Sequence, residues 1–276
     1  MRTASVLIRT KNEAASLGAT LERVCSQTSP PQEIFIIDSG SSDATLEIAS
    51  RFPVRIMQIP QRGWSYSGAL NLGAEQAGGE ILVCLSAHCL PTDNEWLARL
   101  LGHFDDPTVA AAWGPSCRPD RPVPPPQPPT RQQPGDYTLE TRTFGLENSN
   151  SALRRALWRE FPFDESLPAT EDKAWAMEAM KRGYSLVFDP SAAVWHQTHS
   201  ARNSFRRNRA VLVGFRMLFP GLDKPAHQMI ANLGLRVVKK IRFHANLRDP
   251  RRLLTDLSRA PSIVAGVLGK VLSWRR

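Results

Sequence analysis

A chain of 276 residues, 42% of them hydrophobic, can bury a full core as one large domain or as one domain with an appendage. Its net charge of +9 is unevenly spread: residues 201–276 hold 17 of the 35 Lys and Arg but 3 of the 26 Asp and Glu, a net of +14, which leaves −5 for residues 1–200. That asymmetry argues for a local basic attachment surface on a mildly acidic body, and against a protein that coats nucleic acid along its length. The first apolar stretch, Ala4-Ser5-Val6-Leu7-Ile8, is strand-length and runs straight into Arg9-Thr10-Lys11-Asn12, unlike a signal peptide. The stretch from Ser262 to Trp274 is interrupted by Lys270 and too short to span a bilayer. Cys25, Cys84, Cys89 and Cys117 show no CxxC or zinc spacing; three of them sit in apolar or strand-like contexts, which reads as buried free thiols in a reducing cytosol.

In chain order, Ser5–Ile8 reads as a buried strand, followed by a helix with Leu17, Leu21 and Val24 at helical spacing. Strands are expected at Glu33–Asp38, Val54–Ile59, Glu80–Leu85 and Val109–Trp113, with helices at Asp43–Ala49, Ser67–Ala77 and Asp93–Phe104 between them. Such alternation predicts a mostly parallel sheet covered by helices on both faces, with ligands at the carboxyl ends of the strands. Arg118 to Pro134 holds eight prolines and is expected to lack regular structure; a linker is the plainer reading, a flap over an acceptor the functional one. Helix is expected to resume over Ser149–Glu160, then the Glu171 helix ended by Gly183, and strands at Ser185–Phe188 and Ala192–Trp195. From Ala201 the chain reads as helical and basic, with breaks at Pro220, Pro225, Pro250 and Pro261.

Three places carry chemistry. Thr10-Lys11-Asn12-Glu13 ends the first strand, and Asp38-Ser39-Gly40-Ser41-Ser42-Asp43 ends the second. A carboxylate at a strand end can accept from ribose hydroxyls or a base N–H, and the small residues after it let backbone approach a ligand. Asp38 is expected to touch ligand, and Asp43 to cap the next helix. The third place is Glu171-Asp172, in the first turn of a helix, where the dipole favours anions. Alone it would be a helix-end charge pair; strand–helix units before it and Trp195-His196 after it point to a site instead.

Taken in order, these motifs resemble the inverting, family 2 nucleotide-sugar glycosyltransferases. The resemblance rests on Asn12-Glu13, on Asp38, Gly40, Ser41, Asp43 and Thr45, and on Gly68-Ala69-Leu70-Asn71-Leu72-Gly73. Gly79-Glu80-Ile81-Leu82-Val83, Asn148 to Arg155 and Phe161 to Glu165 continue it, and the match spans residues 4 to about 200. It implies a GT-A fold over residues 1–200, a Rossmann-like, mostly parallel sheet with helices on both faces and the Pro-rich loop 118–134, plus a basic, mainly helical extension over 201–276. It also implies a nucleoside-diphosphate sugar donor, and transfer to an acceptor hydroxyl with inversion. Asp172 takes the catalytic-base position. Thr10, Asn12, Glu13, Asp38, Ser39, Asn71, Ser86, Ala87 and His88 line up with donor-binding positions, and Glu171 and Trp175 with the acceptor side or its support.

The main departure is Ser86-Ala87-His88, which stands where the family has Asp-x-Asp. His196 matches a position that often supplies another metal ligand. His88 and His196 are thus the expected holders of a divalent metal, Mn²⁺ or Mg²⁺, or else direct hydrogen-bond donors to the leaving diphosphate. His103 and His227 read as structural. His199, Arg202 and Arg206 could offset the diphosphate charge, but a solvated basic face is the plainer reading. The basic tail, with Val211–Phe219 and Ile263–Leu268 among its cations, suits either packing on the sheet domain or peripheral contact with an anionic membrane. A glycan or lipid-linked acceptor and a cytoplasmic site, at the inner membrane face, follow from the resemblance. No specific nucleic-acid partner is expected; competing readings are a non-catalytic nucleotide-sugar-binding relative and a tail that binds nucleic acid or membrane.

Overall fold

The computed structural model describes residues 2–60, 64–119, 123, 125, 127–133, 136, 145–196 and the helix region 201–219. Its elements run β1 (Ala4–Thr10), α1 (Leu17–Cys25), β2 (Glu33–Asp38), α2 (Thr45–Ala49), β3 (Arg55–Gln58), α3 (Tyr66–Gln76), β4 (Ile81–Ser86) and β5 (Cys89–Pro91). They continue with α4 (Trp96–Gly102), a 3-10 turn (His103–Asp105), β6 (Val109–Trp113), β7 (Ser116–Cys117), β8 (Thr130–Gln132), β9 (Asn150–Arg154) and α5 (Arg155–Glu160). The last are α6 (Glu171–Lys181), β10 (Ser185–Phe188), β11 (Val194–His196) and α7 (Ala201–Leu218).

Eight strands form one sheet in the order β3-β2-β1-β4-β9-β6-β10-β8. Four of its seven pairings are parallel, β9 running antiparallel to both neighbours and β8 antiparallel to β10. The apolar runs of β1, β2 and β4 are buried on both faces, as a parallel sheet sandwiched by helices requires. Alternation along the strands divides the core in two. Val6, Ile8, Ile34, Ile36, Val83 and Leu85 pack with α1, α2 and α4. Leu7, Phe35, Ile37, Leu82 and Cys84 pack with α3, α5 and α6. Gly73 lets α3 lie against Leu7 and Ile37, where any Cβ would collide with the Ile37 side chain.

Two expectations need correction. Asn150–Arg154 is a strand, not the start of a helix; helix begins only at Arg155. Ala, Leu and Arg favour helix locally, but pairing to β4 on one side and β6 on the other overrides that preference. The Pro-rich region contains regular structure at Thr130–Gln132, which closes the sheet edge against β10. Three of the four thiols, Cys84, Cys89 and Cys117, are buried as expected, and Cys25 is exposed.

The chain divides into two compact units, one of residues 1–166 and 171–197, the other of residues 167–170 and 198–276. In the second unit Gly214 of α7 presses on the Ala169 carbonyl and the Thr170 hydroxyl, leaving no room for a side chain. No helix among the described residues is long and apolar enough to cross a membrane. The expected tail breaks from Pro220 on, His227 and the stretch 263–268 lie outside the described residues, as does His199.

Candidate active site

The loops after β1 and β2 are stitched together. Asn12, at φ 54°, donates its amide to the Ser41 hydroxyl at 2.9 Å, and its Oδ1 accepts from the Ser42 amide at 2.8 Å. Asparagine tolerates that left-handed conformation better than most residues. The Glu13 amide donates to Thr45 Oγ1 at 2.8 Å, and the Ala14 amide to Asp43 at 3.2 Å. Asp43 also accepts from the Thr45 amide at 3.0 Å, one residue before the N-cap of α2, which is Ala44 and not Asp43 as expected. Hydrogen bonds from the Thr45 side chain and the loop amides hold its carboxyl below the usual range. Asp38 is fully buried, and its carboxylate accepts from the Gly40 and Ser41 amides at 2.9 Å each, from Thr10 Oγ1 at 3.1 Å, and from Ser41 Oγ. Ser39 closes the same turn, its amide and hydroxyl both donating to the Thr10 carbonyl. Asp38, Thr10 and Ser39 therefore shape the loop from beneath.

His88 occupies the two-residue turn between β4 and β5. A second, three-stranded sheet, β5-β11-β7, places His196 directly opposite Cys89. As a result the His88 and His196 rings meet edge to face, with centroids 4.8 Å apart. His88, Cys89 and His196 bring their ligand atoms within 4.8 Å of one another, the single such group of three among the described residues. Glu13 reaches across from the first loop, its Oε1 2.9 Å from His88 Nδ1. Oε2 of Glu13 accepts from the Ser16 hydroxyl at 3.1 Å. Ala87, buried, turns its carbonyl to the Thr20 hydroxyl at 3.0 Å. Two imidazoles and a thiol are donors that fit a divalent cation of borderline character, and a neutral imidazole also accommodates Mn²⁺.

The acidic pair lies at the same end of the sheet. Asp172 Oδ2 accepts from the Asn148 amide at 3.2 Å; the neighbouring Ser149 carbonyl accepts from the Ser86 amide at 3.2 Å, two residues before His88. Arg9 pairs with Ser86 across β1 and β4. Its guanidinium lies 3.3 Å from Glu171 Oε1, donates to the Tyr66 carbonyl at 3.2 Å, and sits 4.9 Å from the centre of the Tyr66 ring. Asn148 Nδ2 donates to the same Glu171 oxygen at 3.3 Å. Burial first, and the adjacent Asp172 carboxylate second, push the Glu171 carboxyl above the usual range, against the pull of Arg9. Glu171 is buried and fastened, while Asp172 is half-buried, at the positive end of α6. Asp172 is the more exposed carboxylate of the pair.

Asn71 and Trp175, both expected at the site, are buried and held by contacts within the protein. Asn71 Nδ2 donates to the Phe163 carbonyl and Glu165 Oε1, both at 2.9 Å, and its Oδ1 accepts from Trp158 Nε1 at 3.0 Å and the Phe163 amide at 3.1 Å. All four hydrogen-bonding sites of its amide are used within the protein. Trp175 is buried, its ring 5.2 Å from that of Phe161. His103 is structural, as expected, with Nε2 2.8 Å from Asp189. The structure adds Arg9, Cys89 and Asn148 to the site. Arg9 had a signal: a cation ending an apolar strand needs a buried carboxylate as partner.

Known proteins share this fold and parts of this sequence. Rhamnosyltransferase RfbN of Salmonella typhimurium, an O-antigen chain enzyme, is 25% identical over 218 residues, 74% of this chain and 69% of that protein. Glycosyltransferase AglE of Haloferax volcanii is 39% identical over 103 residues, covering 34% of this chain and 33% of its own. The mannosyltransferase PcManGT of Pyrobaculum calidifontis, solved with GDP-Man and Mn²⁺, shares the fold at a TM-score of 0.63 and 18% identity, over 98% of this chain and 85% of that one. Staphylococcus aureus TarS 1–349 superposes at 0.57 and 20% identity, over 78% of this chain and 65% of that one. The fold is thus GT-A, and the chain spans only part of several relatives. The family model described as glycosyl transferase family 2 matches residues 5–165, more than half of the chain, which therefore belongs to that family.

Proposed function

We propose that this glycosyltransferase moves a sugar from a nucleoside-diphosphate donor to an acceptor hydroxyl with inversion, in the assembly of a polysaccharide. The observation that carries the reading is the half-buried Asp172, held by the Asn148 amide at the sheet end that also bears His88. Asp172 takes the acceptor's hydroxyl proton as the acceptor oxygen bonds to the anomeric carbon from the face opposite the diphosphate. The bond from that carbon to the diphosphate oxygen breaks, and the diphosphate leaves with the electron pair. Glu171, held by Arg9 and Asn148, sets the position of α6 and hence of Asp172. The linked loops 10–13 and 38–43 offer backbone and small side chains to the nucleoside, and Glu13 orients His88. His88 and His196 would hold a divalent cation, which neutralises charge on the leaving diphosphate when bound.

UDP, UDP-GlcNAc and GDP-Man occur with the structural neighbours, so the donors to try first are UDP-, GDP- and dTDP-sugars. One relative is an undecaprenyl-phosphate 4-deoxy-4-formamido-L-arabinose transferase, 33% identical over 109 residues, which supports trying lipid-phosphate-linked acceptors beside free glycans. The basic segment from Ala201 supports a position at the inner membrane face; liposome sedimentation with and without anionic lipid tests this. For the reaction itself, Asp172→Asn should lower kcat about 10²–10⁴-fold while diphosphate binding persists. Nuclear magnetic resonance of the product should show the anomeric configuration opposite to the donor's. Retained configuration, or full activity in Asp172→Asn, overturns the reading.

A further inference from the structure

We infer that the cation site is a thiolate-containing one, built from His88, Cys89 and His196, and that it selects Zn²⁺ or Co²⁺ over Mg²⁺ and Mn²⁺. The inference deepens the transferase reading and rests on it for the ion's role beside the diphosphate; the chemistry rests on the three side chains alone. Cys89 is fully buried on β5, and its backbone register with His196 aims both side chains to one face of the small sheet. His88 precedes Cys89 in the chain, and the three ligand atoms lie within 4.8 Å of one another. Closing that spacing to the separations of a tetrahedral N₂S set, with metal–nitrogen distances near 2.0–2.1 Å and metal–sulfur near 2.3 Å, takes small side-chain rotations.

Glu13 completes the arrangement. Its carboxylate, 2.9 Å from His88 Nδ1, accepts the ring proton there and so presents Nε2 as the metal-binding nitrogen. A carboxylate behind a ligating imidazole fixes the ring and raises its basicity, and loss of such a group costs about 10–100-fold in metal affinity. A hard ion gains little from sulfur and imidazole and asks for carboxylate oxygens, which positions 86 and 88 do not supply. A fourth position is left for an oxygen of the diphosphate.

The test is optical titration of the chelator-treated protein with Co²⁺ alone, without nucleotide. The expected result is a set of visible d–d bands with a near-ultraviolet sulfur-to-cobalt charge-transfer band, all displaced by Zn²⁺ and left unchanged by millimolar Mg²⁺ or Mn²⁺. Cys89→Ser should remove the charge-transfer band and keep the d–d bands. Cys25→Ser, which changes the exposed thiol, should keep both. Glu13→Gln should weaken Co²⁺ binding about 10–100-fold. Circular dichroism establishes that each variant is folded. Absence of the charge-transfer band in the wild type, its survival in Cys89→Ser, or its displacement by Mg²⁺ overturns the inference. Nucleoside-diphosphate binding measured in parallel in Mg²⁺ separates this outcome from failure of the transferase reading: binding without the cobalt signature sinks the thiolate site alone.

Discussion

Arg9 and Glu171 stand 162 positions apart in the chain, yet the guanidinium of one lies 3.3 Å from the carboxylate of the other. Both are largely buried, with side-chain exposures of 16% and 6%. The pair ties the end of β1 to the start of α6, the element that presents Asp172. Removing one partner leaves an uncompensated buried charge, so Arg9→Met should destabilise the fold by about 3–5 kcal/mol. Adding Glu171→Gln to that variant should restore at least about 1 kcal/mol, because the neutral amide no longer needs the cation. Urea unfolding of the wild type, both single variants and the double variant measures the coupling; strict additivity would show that the pair does not act as one unit.

Glu171 also predicts a pH dependence. Burial and the adjacent Asp172 carboxylate raise its folded carboxyl above the ordinary glutamate value, near 4.5, so the folded state binds its proton more tightly than the unfolded state does. Stability from this group is therefore fully present below about pH 4.5 and falls as pH rises through the raised value. Glu171→Gln cannot lose a proton. Its stability relative to wild type should improve steadily above pH 4.5, which denaturant midpoints at half-unit intervals will read. A flat difference profile would mean that Arg9 and Asn148 compensate the ionised carboxylate fully.

Asn71→Ala should cost about 3 kcal/mol, since Trp158 Nε1 and the Phe163 amide both lose their acceptor in a buried setting. A fall in melting temperature with an unchanged KM for donor would identify Asn71 as a support of the 161–165 segment. An unchanged melting temperature with a raised KM would return it to the donor pocket.

The thiols should differ in reactivity. Burial pushes the Cys84 thiol up to about 12, and Cys89 is equally inaccessible, whereas Cys25 is exposed. Brief treatment of the native protein with iodoacetamide near neutral pH should label Cys25 and leave Cys84 and Cys89 unmodified, as peptide mass spectrometry will show. Labelling of Cys84 under those conditions would mean that the β4 core opens readily.

The strands at Glu33–Asp38, Val109–Trp113 and Ser185–Phe188 are readable from their apolar runs and agree with the observed bounds. The order of motifs up to Phe161–Glu165 likewise carries the family. The antiparallel strand Asn150–Arg154 is not readable this way, because its residues favour helix and only neighbours distant in sequence hold it extended. The three-stranded sheet is built from segments of two and three residues, too short for any periodicity, and it alone brings Cys89 to His196. Arg9 was within the motif region, but its partner lies in a helix 162 positions away, and no local pattern encodes that distance.

Because Asn12, Glu13 and Ala14 already donate to Ser41, Thr45 and Asp43, the two strand-end loops form one pre-set surface. A ligand lying across them has no loop to order, a step that otherwise costs about 1–2 kcal/mol for each backbone residue immobilised. Donor capture at this surface would then behave as docking onto a rigid plate, with encounter, rather than conformational rearrangement, setting its rate.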